Sequence, residues 1–194
     1  MNFLAHALLA DDKPNLIVGG VIGDWIKGPL PGALPADLAK GVALHRAIDN
    51  FAESNPSFRQ SRTRVSSTRR RYAGVLVDIF YDHLLARQWH EFHPQPLHQY
   101  CESINKLITA RIEELPQSAQ PALSMMVKEN WLSSYAQIEN IADVLVRMSR
   151  RARQPNPLAH GEQEFLRDKA GFECDFYVWL EDAKSFSRKW IEDL

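Results

Sequence analysis

The sequence predicts an all-α fold, a single-domain helical bundle spanning residues 1–194, and three observations predict it. Strand signals are nearly absent: no Asn-Gly or Asp-Gly turn lies between alternating apolar runs, and β-branched residues rarely cluster. Helical punctuation recurs instead. Ser54-Asn55-Pro56 reads as an N-cap followed by proline at the first helical position, while Pro116-Gln117-Ser118 and Pro155-Asn156-Pro157 separate other stretches. Between these marks apolar residues return every three or four positions, as in Val75, Leu76, Ile79, Phe80 and Leu84, in Ile104, Leu107, Ile108, Ile112 and Leu115, and in Ile138, Ile141, Leu145 and Met148.

In chain order, a short helix is expected near 2–10. A glycine-rich passage follows, with a short helix at 15–27, and then a Pro/Gly loop at 28–35. Helices are expected near 36–52, 56–65, 68–92, 96–114, 118–132, 135–152 and 161–191, the last broken at Gly171. Gly19, Gly20, Gly23 and Gly28 could suggest a phosphate cradle. No GxxxxGK[ST] or GxGxxG pattern is present and no strand precedes them, so close backbone packing or tight turns explain them better.

Composition narrows the class. With 194 residues, 45% hydrophobic, 24% charged and a net charge of −1, the chain has ordinary globular usage and length enough for a sizeable core, which excludes fibrous, collagen-like and strongly disordered classes. The apolar start from Met1 to Ala10 has no Lys or Arg ahead of it and runs into Asp11 and Asp12, unlike a secretory signal. The uncharged run from Pro14 to Gly23 is too short to cross a bilayer. A cytoplasmic protein without a membrane partner is expected. Cys101 and Cys174 show no CxxC spacing and read as free thiols.

Histidine and aspartate concentrate in the first half: His6, Asp24, His45, Asp49, Asp78, Asp82 and His83. His45 and Asp49 are four apart, so on a helix they lie about 40° apart on one face; Asp78 and Asp82 repeat the spacing. Two helices could bring an imidazole and three carboxylates to one point, a mixed N/O set suited to Mn²⁺, Mg²⁺, Fe²⁺ or Zn²⁺. The competing reading makes His45–Asp49 a helix pair and leaves Asp78 and Asp82 in solvent or beside arginines. Two such pairs together with Asp24, set between apolar flanks in Val-Ile-Gly-Asp-Trp-Ile, favour the metal site, because buried carboxylates need partners. Asp82 and His83 point about 100° apart and need not act alike. His90, His93, His98 and His160 read as solvated, capping or loop residues.

Arg59, Arg62, Arg64, Arg69, Arg70 and Arg71 fall in thirteen residues without an Asp or Glu, and Arg147, Arg150, Arg151 and Arg153 form a second cluster. A solvated face is the usual fate of such runs. The same field would attract an anionic partner, and an acidic protein fits better than nucleic acid because no RRM, KH, zinc-knuckle or helix-turn-helix signature accompanies it.

Four segments in order, Met-Asn-Phe-Leu-Ala-His at 1–6, Gly-Asp-Trp-Ile-Lys-Gly at 23–28, Leu-His-Arg-Ala-Ile-Asp at 44–49 and Asp-Ile-Phe-Tyr-Asp-His-Leu-Leu-Ala-Arg-Gln-Trp at 78–89, resemble the acyl carrier protein phosphodiesterases, or ACP hydrolases. The likeness covers essentially the whole chain and is strongest through residue 92. It implies a helical fold related to the HD-domain metal-dependent phosphohydrolases, a divalent metal (Mn²⁺ first, Mg²⁺ second), and holo-acyl carrier protein as substrate, from which 4'-phosphopantetheine is removed to leave the apo form. One departure is that the adjacent pair reads Asp82-His83, the reverse of the HD order.

For that reaction the metal set is Asp24, His45, Asp78 and Asp82, with Asp49 or His83 completing or orienting the shell. Arg46 clamps a phosphate oxygen or makes a structural salt bridge. His6, singled out by its place in the opening segment, is the candidate general acid or base. The arginines of 59–71 are the docking surface for the acidic carrier. Two alternatives are an HD-type phosphohydrolase acting on nucleotides and a non-catalytic helical module that binds acidic partners.

Overall fold

A computed structural model describes residues 2–194, and among them every regular element is helical. The α-helices are α1 (Phe3–Leu8), α2 (Pro14–Ile22), α3 (Ala36–Ser54), α4 (Pro56–Arg64), α5 (Ala73–Arg87), α6 (Leu97–Arg111), α7 (Gln120–Lys128), α8 (Trp131–Ser134), α9 (Ile138–Arg151), α10 (Glu162–Arg167) and α11 (Lys169–Glu192). Single 3₁₀ segments cover Gly23–Trp25, Ser67–Tyr72, Trp89–Glu91 and Ile112–Glu114.

Local chemistry explains the boundaries. Asn55 caps α4, its Oδ1 accepting from the N–H groups of Ser57 (2.9 Å) and Phe58 (3.2 Å), with Pro56 at the first helical position. The final long stretch breaks at Asp168 and not at Gly171, because the Asp168 carboxylate accepts the Gly171 N–H at 3.1 Å and so restarts the helix as an N-cap. The stretch expected at 118–132 divides at Asn130, which adopts φ 49°, and the one at 68–92 begins and ends in 3₁₀ turns.

One contiguous apolar core runs through these elements. α11 packs on α3, α4 and α5 through an aromatic cluster in which Tyr81 lies 5.0 Å from Trp179 and 5.4 Å from Phe176, ring centre to ring centre. The Tyr81 hydroxyl meets Ser61 Oγ at 3.0 Å, and Ser61 donates to Asp175 at 2.9 Å, so the hydroxyls of Tyr81 and Ser61 taken into this core are satisfied.

The contact that builds the site is between α2 and α3. A Cβ on Gly19 would lie 2.5 Å from the Leu38 carbonyl oxygen and 2.6 Å from Gly41 Cα, so the two backbones touch where only glycine fits. This is the packing role expected for the glycine-rich passage. Gly19→Ala should therefore overpack backbone against backbone, costing about 3 kcal/mol and lowering the melting temperature by about 5–10 °C. Gly74→Ala is the control: its nearest neighbour is Glu53 Oε1 at 3.9 Å, and it should melt at or above the parent. Equal melting of parent and Gly19→Ala in a thermal scan would contradict the close approach.

Candidate functional site

Four elements converge on one point. α1 brings His6, the 3₁₀ turn after α2 brings Asp24, α3 brings His45 and Asp49 one helical turn apart, and α5 brings Asp78. His45 is buried, and its Nδ1 lies 2.9 Å from the Gly20 carbonyl oxygen. A carbonyl only accepts, so Nδ1–H donates and the neutral ring carries its lone pair on Nε2. That Nε2 lies 3.1 Å from Asp49 Oδ2 and 3.8 Å from Asp24 Oδ1. A lone pair facing two carboxylates is unfavourable unless a proton or a metal cation lies between them.

His6 repeats the arrangement. It is 1% exposed, its ring stacks on His45 with centroids 4.0 Å apart, and its Nε2 lies 3.2 Å from Asp49 Oδ1, yet neither ring nitrogen makes an aligned hydrogen bond. Buried polar atoms without such partners are rare and are met by a water, a ligand or an ion. Burial first, and then the neighbouring His45, push His6 down to about 4, with Asp49 acting in the opposite direction. Burial works to raise the half-exposed Asp49, but the approach of His45 and His6 outweighs it and holds the carboxyl well below the usual range. Asp78 is raised, by burial and by the charges of Asp49 and Asp24 among its neighbours. Ligand atoms of His6, His45 and Asp49 all lie within 4.8 Å of one another, a spacing that can hold a metal ion.

The cluster borders two cavities. One of about 670 Å³ is lined by Asp24, Asp49 and Asp78 together with Trp25, Phe58, Val75, Arg62 and Arg71. A second of about 340 Å³ lies against Asp24, His45 and Asp49 with Lys27 and Arg46. Among the described residues Arg46 makes no carboxylate pair: it donates from Nη2 to the Ile26 carbonyl at 3.1 Å, which braces the turn carrying Asp24. Trp25, Phe58, Val75 and Lys27 were not singled out from the sequence; Trp25 and Lys27 sit beside Asp24 in a segment that was.

Two residues expected at the metal are held elsewhere. Asp82 is fully buried, and its two oxygens accept the backbone N–H groups of Leu4 (3.0 Å) and Ala5 (2.9 Å); burial pushes its carboxyl up to about 7 against those hydrogen bonds. His83 turns to the opposite side of α5, where Nδ1 meets the Tyr135 carbonyl at 2.7 Å and the ring stands edge-on to Phe165. The shared helix face of Asp78 and Asp82 is real, but one turn separates the cavity wall from the α1 backbone.

The arginine run divides too. Arg64 ion-pairs with Asp175 (2.7 Å) and Asp168 (2.6 Å), and Arg69 with Glu164 (3.0 Å) while donating to the Pro157 carbonyl (2.8 Å), so both fasten α10 and α11 to the rest. Arg62 pairs with Glu53 at the cavity edge, and Arg59, Arg70 and Arg71 are exposed.

Helices that present a histidine–carboxylate cluster beside two cavities define an all-α protein with a candidate polar active site. Comparison with known proteins makes this specific. The family model described as acyl carrier protein phosphodiesterase matches residues 1–183. The acyl carrier protein phosphodiesterase of Pectobacterium atrosepticum is 31% identical over 178 residues, 91% of this chain and 92% of its own. That of Photorhabdus laumondii subsp. laumondii is 30% identical over 91% of this chain and 90% of its own, and that of Serratia proteamaculans 28% over 91% and 92%. No solved structure matches. The chain belongs to the acyl carrier protein phosphodiesterase family.

The low pKa of His6 has a consequence for stability. Between pH 6.5 and about 4 the unfolded chain binds a proton at this residue and the folded state does not, so His6 contributes stability above pH 6.5 that is lost as the pH falls. At about 1.4 kcal/mol per pH unit, the metal-free parent should lose about 2 kcal/mol more than His6→Gln between pH 6.5 and 5. Urea unfolding at the two pH values measures this, and parallel losses in parent and variant would refute the buried neutral imidazole.

Proposed function

We propose that this protein hydrolyses the phosphodiester between 4'-phosphopantetheine and the serine of holo-acyl carrier protein, releasing apo-carrier and phosphopantetheine with the help of a divalent cation. The observation that carries the metal reading is the lone pair on His45 Nε2, aimed at Asp49 and Asp24 by the hydrogen bond from Nδ1–H to Gly20. Outer partners of this kind set the tautomer and direction of metal-binding histidines. The residues fit a cation. His6, His45 and Asp49 would hold it, and Asp24 adds a carboxylate at the same cavity wall. Mn²⁺ and Mg²⁺ suit the mixed N/O set.

Such a cation supplies Lewis-acid polarisation of the phosphate and acidifies a water. The chain's own residues do the rest. Arg62 at the edge of the larger cavity offers a guanidinium group to the phosphoryl oxygens, and Lys27 and Arg46 do so from the smaller one. Asp78, inclined by burial and by its carboxylate neighbours to keep a proton, is assigned the proton that the departing serine oxygen takes up. His6, expected as general acid or base, is assigned here as a ligand: a ring that stays neutral down to about pH 4 has no proton to give as an acid near neutrality, and its Nε2 lies 3.2 Å from Asp49 Oδ1 inside the cluster.

Kinship with HD-domain phosphohydrolases belongs to the same reading, supported by a His/Asp cluster presented from helices. So does a cytoplasmic location: Cys101 and Cys174 are both free thiols, in keeping with a reducing compartment. No helix among the described residues is long and apolar enough to cross a membrane.

Incubation with holo-acyl carrier protein and Mn²⁺ should lower the carrier mass by one phosphopantetheine in a mass spectrum. EDTA should abolish the change, and Asp49→Asn should lower kcat/KM by about a hundredfold. Full turnover after exhaustive metal removal would rule the mechanism out. For docking, replacing Arg59, Arg70 and Arg71 with Ala should raise KM for the carrier, hold kcat and flatten the salt dependence, since rim charges act on encounter and the Debye length falls from about 10 Å at 0.1 M to about 3 Å at 1 M. Arg64→Ala and Arg69→Ala should instead lower the melting temperature. A triple variant with the parent's KM and salt slope at saturating metal would remove this surface from the account.

A further inference from the structure

We infer that Asp82 is a positioning residue for the reaction: from α5 it clamps the N-terminus of α1 and thereby sets where His6 stands in the cluster. The inference rests on the reading of His6, His45 and Asp49 as a metal site.

The first turn of any helix leaves backbone N–H groups without intrahelical acceptors, and a cap normally supplies them. α1 has no cap of its own, because the Asn2 side chain makes no such bond. The acceptors come from 77 and 78 residues away, as Asp82 Oδ1 and Oδ2 take the N–H groups of Ala5 and Leu4. Bonds of amide N–H to a carboxylate are strong, and here both oxygens are used.

Two features turn this cap into a device for the site. First, α1 has only six residues, too few to hold a helix by its own propensity, so its position is set by tertiary contacts. Second, the His6 ring has no aligned hydrogen bond of its own, so its aim follows from where the α1 backbone puts it and from its stack on His45. α5 thus contributes twice along one face, with Asp78 at the cavity wall and Asp82 one turn later as the clamp that registers α1 against it. A carboxylate is required for this: Asn would turn an NH₂ toward one of the two N–H donors, and Ala would leave both without acceptors.

The test is a four-member cycle of parent, Asp82→Asn, His6→Ala and the double variant, measured as full chains by Mn²⁺ titration, by carrier-protein turnover and by amide exchange at Leu4 and Ala5. Ser61→Ala, which disturbs a buried hydrogen bond at the α4–α11 contact, reports the effect of lost stability alone. Asp82→Ser, which retains one small acceptor, replaces Asp82→Asn should that variant not fold. Asp82→Asn should lose protection at Leu4 and Ala5 and bind Mn²⁺ about ten- to a hundredfold more weakly, with an unchanged KM for the carrier. In the His6→Ala background the same substitution should cost little further affinity, because its effect passes through His6. Parental Mn²⁺ affinity in Asp82→Asn, an equal loss in both backgrounds, or unchanged protection of the two amides would each overturn the inference. A parent that binds no Mn²⁺ would instead overturn the metal reading, and amide exchange would still decide whether the clamp exists.

Discussion

The hydrogen bond from His45 Nδ1 to the Gly20 carbonyl is the interaction on which the site depends. It fixes a lone pair on Nε2 and gives that lone pair a direction, toward Asp49 on the same helix and Asp24 on the preceding turn. It forms only because α2 and α3 approach backbone to backbone at Gly19 and Gly41, which brings the Gly20 carbonyl within reach. Gly23 extends the same constraint, since a Cβ there would lie 2.3 Å from the His45 ring. The glycines of this passage shape the site by being small.

Around that fixed point the molecule gathers acidic side chains. Asp24, Asp49 and Asp78 line one cavity, with the imidazoles of His6 and His45 beside them. Such an arrangement is unfavourable in isolation and becomes favourable when a cation is shared. The apolar core supplies the rigidity to hold it: α11 and its aromatic cluster brace α3, α4 and α5, while Arg64 and Arg69 fasten the C-terminal helices by buried or half-buried ion pairs. Membership in the acyl carrier protein phosphodiesterase family gives the cluster its chemical context.

Much of this was legible in the sequence, for reasons that differ by residue. Period and punctuation carried the helices, and the His45–Asp49 spacing carried the heart of the cluster, because both are local. Asp78 and Asp82 share the same spacing yet divide between cavity wall and helix clamp; which turn of α5 meets α1 is a tertiary fact that no spacing encodes. His83 looked reactive beside an aspartate, but the angle between neighbours on a helix sends it to the Tyr135 carbonyl. His6 stood out only through the family-like opening segment, since a lone histidine on a short apolar helix has no periodic signal. The break at Asp168 was missed because glycine is a louder breaker than an aspartate cap. Arg64 and Arg69 read as surface charge because their partners, Asp168, Asp175 and Glu164, lie about a hundred residues on.

The central claim is that His6, His45 and Asp49 hold one divalent cation. Pulsed electron paramagnetic resonance of Mn²⁺ bound to protein carrying ¹⁵N-labelled histidine tests it most directly. Hyperfine coupling to two imidazole nitrogens is expected, one of them lost in His6→Ala and the other in a His45 variant. A bound Mn²⁺ with no imidazole coupling, or coupling that survives both substitutions, would contradict it.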